Sequence, residues 1–280
     1  MTHAHARQPI TLPEDAPYGP LVDIGVNLTD GAFADDRGEL LARARAAGVE
    51  QQLVTGTDLH HSRLAAELAS AHPRRLAATA GVHPHHAAAV PKDWVATLRT
   101  LLAREEVRAV GETGLDFNRD FSPRPDQERV FVAQLELAAA TGLPLFLHER
   151  DTEGRFFELL APFAGRVHGV LHCFTGGEAD LERALEAGLH LGVTGWICDE
   201  RRGGELQRLA PRIPDERLLV ETDAPYLLPR TIRPRRKSRR NEPALLPWVV
   251  ATLAACRDQD PRHVARVTTA NARMLFRLGT

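Results

Sequence analysis

The chain has 280 residues, 43% hydrophobic and 26% charged, which is enough apolar material for one sizeable core and excludes a disordered chain. No apolar run approaches the roughly 18 residues that cross a bilayer, and the opening stretch lacks the hydrophobic block of a secretory leader. Cys173, Cys198 and Cys256 are odd in number and far apart, which excludes a disulfide framework and points to the reducing cytoplasm, while a net charge of −2 means that any pull on a polyanion must be local.

Residues 1–20 are polar, contain prolines and show no periodicity, so they read as a flexible tail ahead of a single domain over 21–280. From Leu21 onward short apolar runs alternate with Ala/Leu/Arg stretches of helical period. The runs are LVDIGVN (21–27), QQLVTG (51–56), LAATAGVH (76–83), VRAVGE (107–112), PLFLH (144–148), HGVLH (168–172), LHLGVTG (189–195) and LLVETD (218–223). Helix candidates between them include 38–48, 63–72 and 127–142. Eight strands separated by helices predict parallel βαβ units, and the absence of a Gly-rich loop after the first strand argues against a dinucleotide-binding sheet. The expectation is an α/β fold, a single-domain (β/α)8 TIM-type barrel.

In such a barrel functional side chains gather where strands end. Those ends carry Asn27, His83, Glu112, His148, His172 and Asp223, a set of imidazoles and carboxylates arriving at one rim from distant parts of the chain. Each alone has a plain structural reading; Asp223 before Ala-Pro, for instance, could be a helix cap. Together they predict a metal site, because several ligands must approach one ion. His168 and His190 open their strands and fall on the stability side of the barrel, and His3 and His5 sit in the tail, so these four are set aside. His83-x-His85 has the spacing of a metal-binding pair, but Pro84 between them points to a turned loop, which favours contact with substrate phosphate.

Residues 231–243, TIRPRRKSRRNEP, follow Asp223 closely. From Arg230 to Arg240 seven of eleven residues are basic, including Arg239. A run of this kind at the mouth of a site favours gripping a polyanion by its phosphates. Trp196, just after the seventh strand, either stacks on a base or packs inward.

These residues resemble the motif series of the TatD family of metal-dependent deoxyribonucleases, within the amidohydrolase-like barrels. The matching stretches are DIGVNLTD (23–30), GVHPH (81–85), GETGLDFNRDF (111–121), FLHERD (146–151), LHCFTG (171–176), GWICDERRG (195–203), ETDAPYLLPR (221–230), SRRNEP (238–243) and NARMLF (271–276). The resemblance implies a 3′-to-5′ exonuclease on single-stranded DNA and RNA with a role in DNA repair or nucleic-acid turnover. It also implies dependence on magnesium or manganese, with metal ligands Glu112, His148, His172 and Asp223. The wider superfamily carries His-x-His at the end of strand 1, where this chain has Gly25-Val26-Asn27. That departure predicts one weak metal position and a preference for Mg²⁺ or Mn²⁺ over Zn²⁺.

The expected chemistry is attack of a metal-activated water on phosphorus, with Glu112 and Asp223 as catalytic carboxylates and Asp223 orienting the water or taking its proton. Asn27, His83, His85, Trp196, Arg230, Arg239 and Arg240 would contact the substrate. Single-stranded DNA or RNA is the expected partner, with no membrane association and a monomeric chain. A metal-dependent amidohydrolase or aminoacyl-tRNA esterase is the rival from the same fold, and a non-catalytic nucleic-acid-binding barrel is the rival outside enzymes.

Overall fold

The computed structural model describes residues 18–233 and 237–279. Eight strands follow the chain: β1 Leu21–Val26, β2 Val49–Val54, β3 Leu76–Ala80, β4 Val107–Asp116, β5 Leu145–Arg150, β6 Gly169–Leu171, β7 His190–Val193 and β8 Leu218–Val220. Each pairs in parallel with the next, in unbroken order from β1 to β8. The sheet closes where Val26 bridges Ala224 and Asp223 N–H donates to Gly25 O at 2.8 Å. Across the same seam the buried Asp23 carboxylate accepts Thr222 N–H at 2.9 Å and Thr222 Oγ1 at 2.5 Å. The (β/α)8 barrel predicted from the spacing is the fold found.

The helices are α1 Arg37–Ala46, α2 Leu59–Ala71, α3 Trp94–Leu102, α4 Arg124–Thr141, α5 Arg155–Leu160, α6 Glu178–Glu186, α7 Gly204–Leu209, α8 Leu246–Arg257 and α9 Pro261–Phe276. Their ends follow local chemistry. Asp58 caps α2 by accepting His61 N–H at 2.7 Å, which starts that helix four residues before the apolar period reveals it. Asp260 caps α9 and Pro261 fills its first turn. Among the described residues no helix is long and apolar enough to cross a membrane.

Two cores result. The larger lies between the sheet and the surrounding helices. The smaller fills the barrel interior with Val22, Ile24, Leu53, Phe146, Val170 and Leu219, and is plugged from below by Leu275 and Phe276 of α9. Strand side chains alternate between faces, so the inward positions run on from this plug toward the mouth. Two residues beyond Phe146 is His148, two beyond Val170 is His172, and beyond Leu219 come Glu221 and Asp223. The site is thus the top layer of the barrel's own core.

β4 is the one strand much longer than expected. The reading over 107–112 stopped at Glu112, but residues 113–116 keep pairing with β5 as far as Asp116 opposite Arg150. The glycines at 111 and 114 look like punctuation in the sequence, yet the ladder passes through them.

Candidate active site

Glu112 is the hub of the rim. Its Oε1 lies 2.7 Å from His172 Nε2, 3.1 Å from His148 Nδ1 and 3.3 Å from His83 Nε2. Ligand atoms of His83, Glu112 and His148 all fall within 4.8 Å of one another. Asp223 completes the floor; its Oδ1 accepts Asn27 Nδ2 at 3.1 Å, and its backbone sits at φ 52°. A non-glycine residue in that left-handed region costs about 1 kcal/mol, a cost that tends to be found where a side chain must be aimed. Above these groups opens a cleft of about 610 Å³, also lined by His85, Arg119, Trp196, Arg202 and Tyr226.

Behind each of the two central imidazoles stands a second carboxylate. His148 Nε2 is 3.4 Å from Asp116 Oδ2, and His172 Nδ1 is 3.4 Å from Glu221 Oε2. Both rings therefore turn one nitrogen to Glu112 and the other to a rear acid, the arrangement by which proteins fix the tautomer and orientation of metal-binding histidines. Glu221 is fully buried, and its Oε1 accepts Cys173 N–H at 2.5 Å. Space for it exists because Gly25 and Gly192 face it: a Cβ on either would run into its carboxylate oxygens. Gly25, which the sequence presents as a lost ligand position, is the gap that Glu221 fills from β8.

His83 is disposed differently. Its Nδ1 accepts His85 N–H at 3.1 Å, so in the neutral ring the proton sits on Nε2, which faces Glu112 as a donor. His85 Nε2 is held 2.7 Å from Asp116 Oδ2, and its ring packs 4.7 Å from Phe121.

The charges follow from these neighbours. Burial alone would push Glu112 up, but the His172 and His83 imidazoles and the hydrogen bonds from His148 and His172 outweigh it and hold the carboxyl well below the usual range. Burial works to lower His172, and Glu112 with Glu221 overcomes it, holding that imidazole well above its ordinary value. His148 is raised in the same manner by Asp116 and Glu112. His83 lacks enough acid to resist burial and is pushed down to about 4. Burial, with Glu112 and Glu221 adding to it, pushes Asp223 up to about 7.

Every strand-end residue singled out in the sequence reaches this cleft: Asn27, His83, His85, Glu112, His148, His172 and Asp223 all line it. Trp196 lines it too; it packs against the large core, and Arg202 lies 4.4 Å over its ring. The basic run divides. Arg230 and Arg239 line an adjoining groove. Arg240 turns away, donating to Ala32 O at 2.7 Å and to both oxygens of Asp36 at 2.9 and 2.6 Å. Residues 234–236 of that run, and His3 and His5 with the tail to residue 17, lie outside the described residues. His168 and His190 are remote from the cleft lining, as their strand-start positions predict. Sequence reasoning missed Asp116, Glu221, Arg202 and Tyr226. Glu221 had a signal, its place two residues before Asp223 on the same inward face. Tyr226 is 55% exposed, an unusual state for a large aromatic and visible only in the fold.

Fold and site together define a barrel hydrolase with an imidazole–carboxylate centre at its C-terminal mouth. The family model described as TatD related DNase matches residues 22–277, and the chain belongs to that family. It is 53% identical over 259 residues to the "3'-5' ssDNA/RNA exonuclease TatD" of Edwardsiella piscicida, covering 92% of this chain and 100% of the relative. The protein of the same name from Dickeya dadantii is 51% identical over 260 residues, covering 92% and 98%. Among solved structures, YJJV, a TatD homolog from Escherichia coli K12, superposes with a TM-score of 0.83 at 28% identity, covering 94% of this chain and 100% of that one.

Proposed function

We propose that the chain is a divalent-metal-dependent exonuclease that removes 5′-mononucleotides from the 3′ end of single-stranded DNA and RNA, with Glu112, His148, His172 and Asp223 as the metal ligands. One observation carries the reading. His172 Nε2, His148 Nδ1 and His83 Nε2 converge on a single oxygen of Glu112, with Glu221 and Asp116 each 3.4 Å behind the first two rings. Such a donor set fits a common cation, and the curated relatives at about half identity are named 3'-5' ssDNA/RNA exonucleases. A divalent ion bound there supplies the positive charge that acidifies water and draws electron density from a phosphate oxygen.

The residues of the chain do the rest. Asp223, aimed by its backbone and by Asn27, accepts the proton of the attacking water at Oδ2. The attack runs in line on phosphorus and expels the 3′-oxygen of the preceding nucleotide. His83, a neutral ring at the cleft wall, turns its Nε2–H from Glu112 to a non-bridging phosphate oxygen as charge builds there. Strand 1 contributes no imidazole, and the oxygens of Glu112 and Asp223 favour Mg²⁺ or Mn²⁺ over Zn²⁺. Three free cysteines support a cytoplasmic setting.

The test is release of mononucleotides from 3′- and 5′-labelled single strands with Mg²⁺, Mn²⁺, Zn²⁺ or EDTA. Wild type should act from the 3′ end only with metal, and Glu112→Ala should lower the rate at least about a thousandfold. Absence of cleavage with every metal, alongside turnover of an aminoacyl ester in the same preparation, would move the chain to the carbonyl hydrolases.

A further inference from the structure

The active-site cleft communicates with two sectors of the barrel rim, and they differ in charge. One is a groove of about 540 Å³ over the loops after β7 and β8, which shares Trp196, Arg202 and Leu227 with the cleft. Four arginines, Arg201, Arg202, Arg230 and Arg239, line it against the single acid Asp199. The other lies over the loops after β5 and β6 and shares Glu149, Arg150, Thr175 and Trp196 with the cleft. There four carboxylates, on Glu149, Asp151, Glu153 and Asp180, stand against Arg150 and Arg183.

The arginines of the groove are not all spent on neighbours. Arg202 pairs with Asp199 at 3.0 Å and covers Trp196, and Arg230 lies 3.8 Å from Asp199 and 3.6 Å from Glu200. Arg201 and Arg239 are exposed, and their guanidinium groups meet no carboxylate among the described residues. Unpaired guanidinium groups along a groove that opens from a phosphodiester-cleaving cleft are suited to successive backbone phosphates, whereas the acidic sector would repel each phosphate entering it.

We infer that the strand upstream of the scissile bond leaves the cleft through the β7–β8 groove, with Arg201 and Arg239 holding its internucleotide phosphates, and does not pass over the β5–β6 sector. This inference rests on the nuclease reading above and adds a path to it. An enzyme that grips its substrate on the 5′ side alone holds a strand by its 3′ end, and the acidic sector disfavours a strand that continues past the site. Trp196, with Arg202 over its ring, marks the junction of cleft, groove and acidic sector.

The experiment has two arms. Binding of fluorescein-labelled (dT)12 is followed by anisotropy in EDTA across a salt series, for wild type, Arg201→Glu/Arg239→Glu and Arg183→Glu. The groove variant should bind roughly tenfold more weakly, with a log–log salt slope shallower by about two, and Arg183→Glu should bind no more weakly than wild type. The milder Arg201→Gln/Arg239→Gln should show an intermediate loss, which guards against a folding defect in the charge reversal. In the second arm, the ratio of kcat/KM for (dT)12 over (dT)2 with Mg²⁺ should fall roughly tenfold in the groove variant. Wild-type binding by the groove variant, or a loss at Arg183→Glu as large as that in the groove, overturns the path. If wild type bound (dT)12 through the groove and never cut it, the path would stand and the nuclease reading would fail.

Discussion

Asp23 on β1 and Glu112 on β4 are both carboxylates sealed inside the barrel, 0% and 6% exposed. Glu112 is ringed by imidazoles that can carry charge, and its carboxyl is held well below the ordinary range. Asp23 meets only neutral donors, the Thr222 hydroxyl and the backbone N–H groups of Thr222 and Gly25, and burial pushes it up to about 7. Equal burial thus has opposite outcomes, decided by what faces the group. The barrel uses one acid to gather charge at its mouth and the other as a hydrogen-bonding staple across the β8–β1 seam.

The contrast breaks most sharply with pH. Asp23 binds its proton more tightly in the folded chain than in the unfolded one, where its ordinary value is 3.8. Its favourable contribution is therefore intact below about pH 4 and is lost as pH rises toward 7, amounting to up to about 4 kcal/mol across that window. Glu112 works in the other direction, contributing stability above the carboxylate range that is lost on acidification. Asp23→Asn keeps an acceptor for Thr222 N–H and removes the proton. In EDTA its melting temperature should fall less than that of wild type between pH 5 and 8, and should exceed wild type at pH 8. Parallel melting curves for the two proteins over this range would show that Asp23 does not titrate there.

A smaller effect separates the groups that face the cleft from those that stand behind them. Glu221→Gln preserves shape and the bond from Cys173 N–H, but it places an amide against His172 Nδ1 in place of an acceptor. The ring then has reason to carry its proton on the nitrogen that faces Glu112. Mn²⁺ affinity by titration calorimetry should weaken about 10–100-fold, with the fold kept as judged by circular dichroism. Unchanged affinity would reduce Glu221 to a space-filler between Gly25 and Gly192.

Glu221 also shows where the sequence stops being legible. The barrel followed from eight apolar runs at regular spacing, and the rim residues followed from strand ends, because both depend on local pattern. Glu221 and Asp116 matter through partners 49 and 32 positions away, at His172 and His148, and no local pattern carries that. Gly25 was visible as a departure from the superfamily's His-x-His, but its reason, an acid arriving from the last strand, requires the closed barrel. Arg240 was indistinguishable from Arg239 within a basic run until the fold set Asp36 beside it. Conversely the place of His168 and His190 away from the cleft was legible by position alone, since a residue that opens a strand lies at the far end of the barrel from the mouth.

His190 gives the smallest and most discriminating comparison with His172. Both are buried histidines at the ends of barrel strands, 6% and 5% exposed. His172 has two carboxylates around it, while His190 has none among the described residues; burial and the Arg217 guanidinium lower its proton affinity. A neutral ring of this kind is replaceable by an apolar one of similar shape. His190→Phe should therefore leave mononucleotide release within about twofold of wild type, and should shift stability by no more than about 1 kcal/mol, or roughly 2–4 °C in melting temperature. A tenfold loss of rate with unchanged melting would mean that the base of the barrel communicates with its mouth through the intervening plug, and that the division between a stabilising end and a reactive end is drawn in the wrong place.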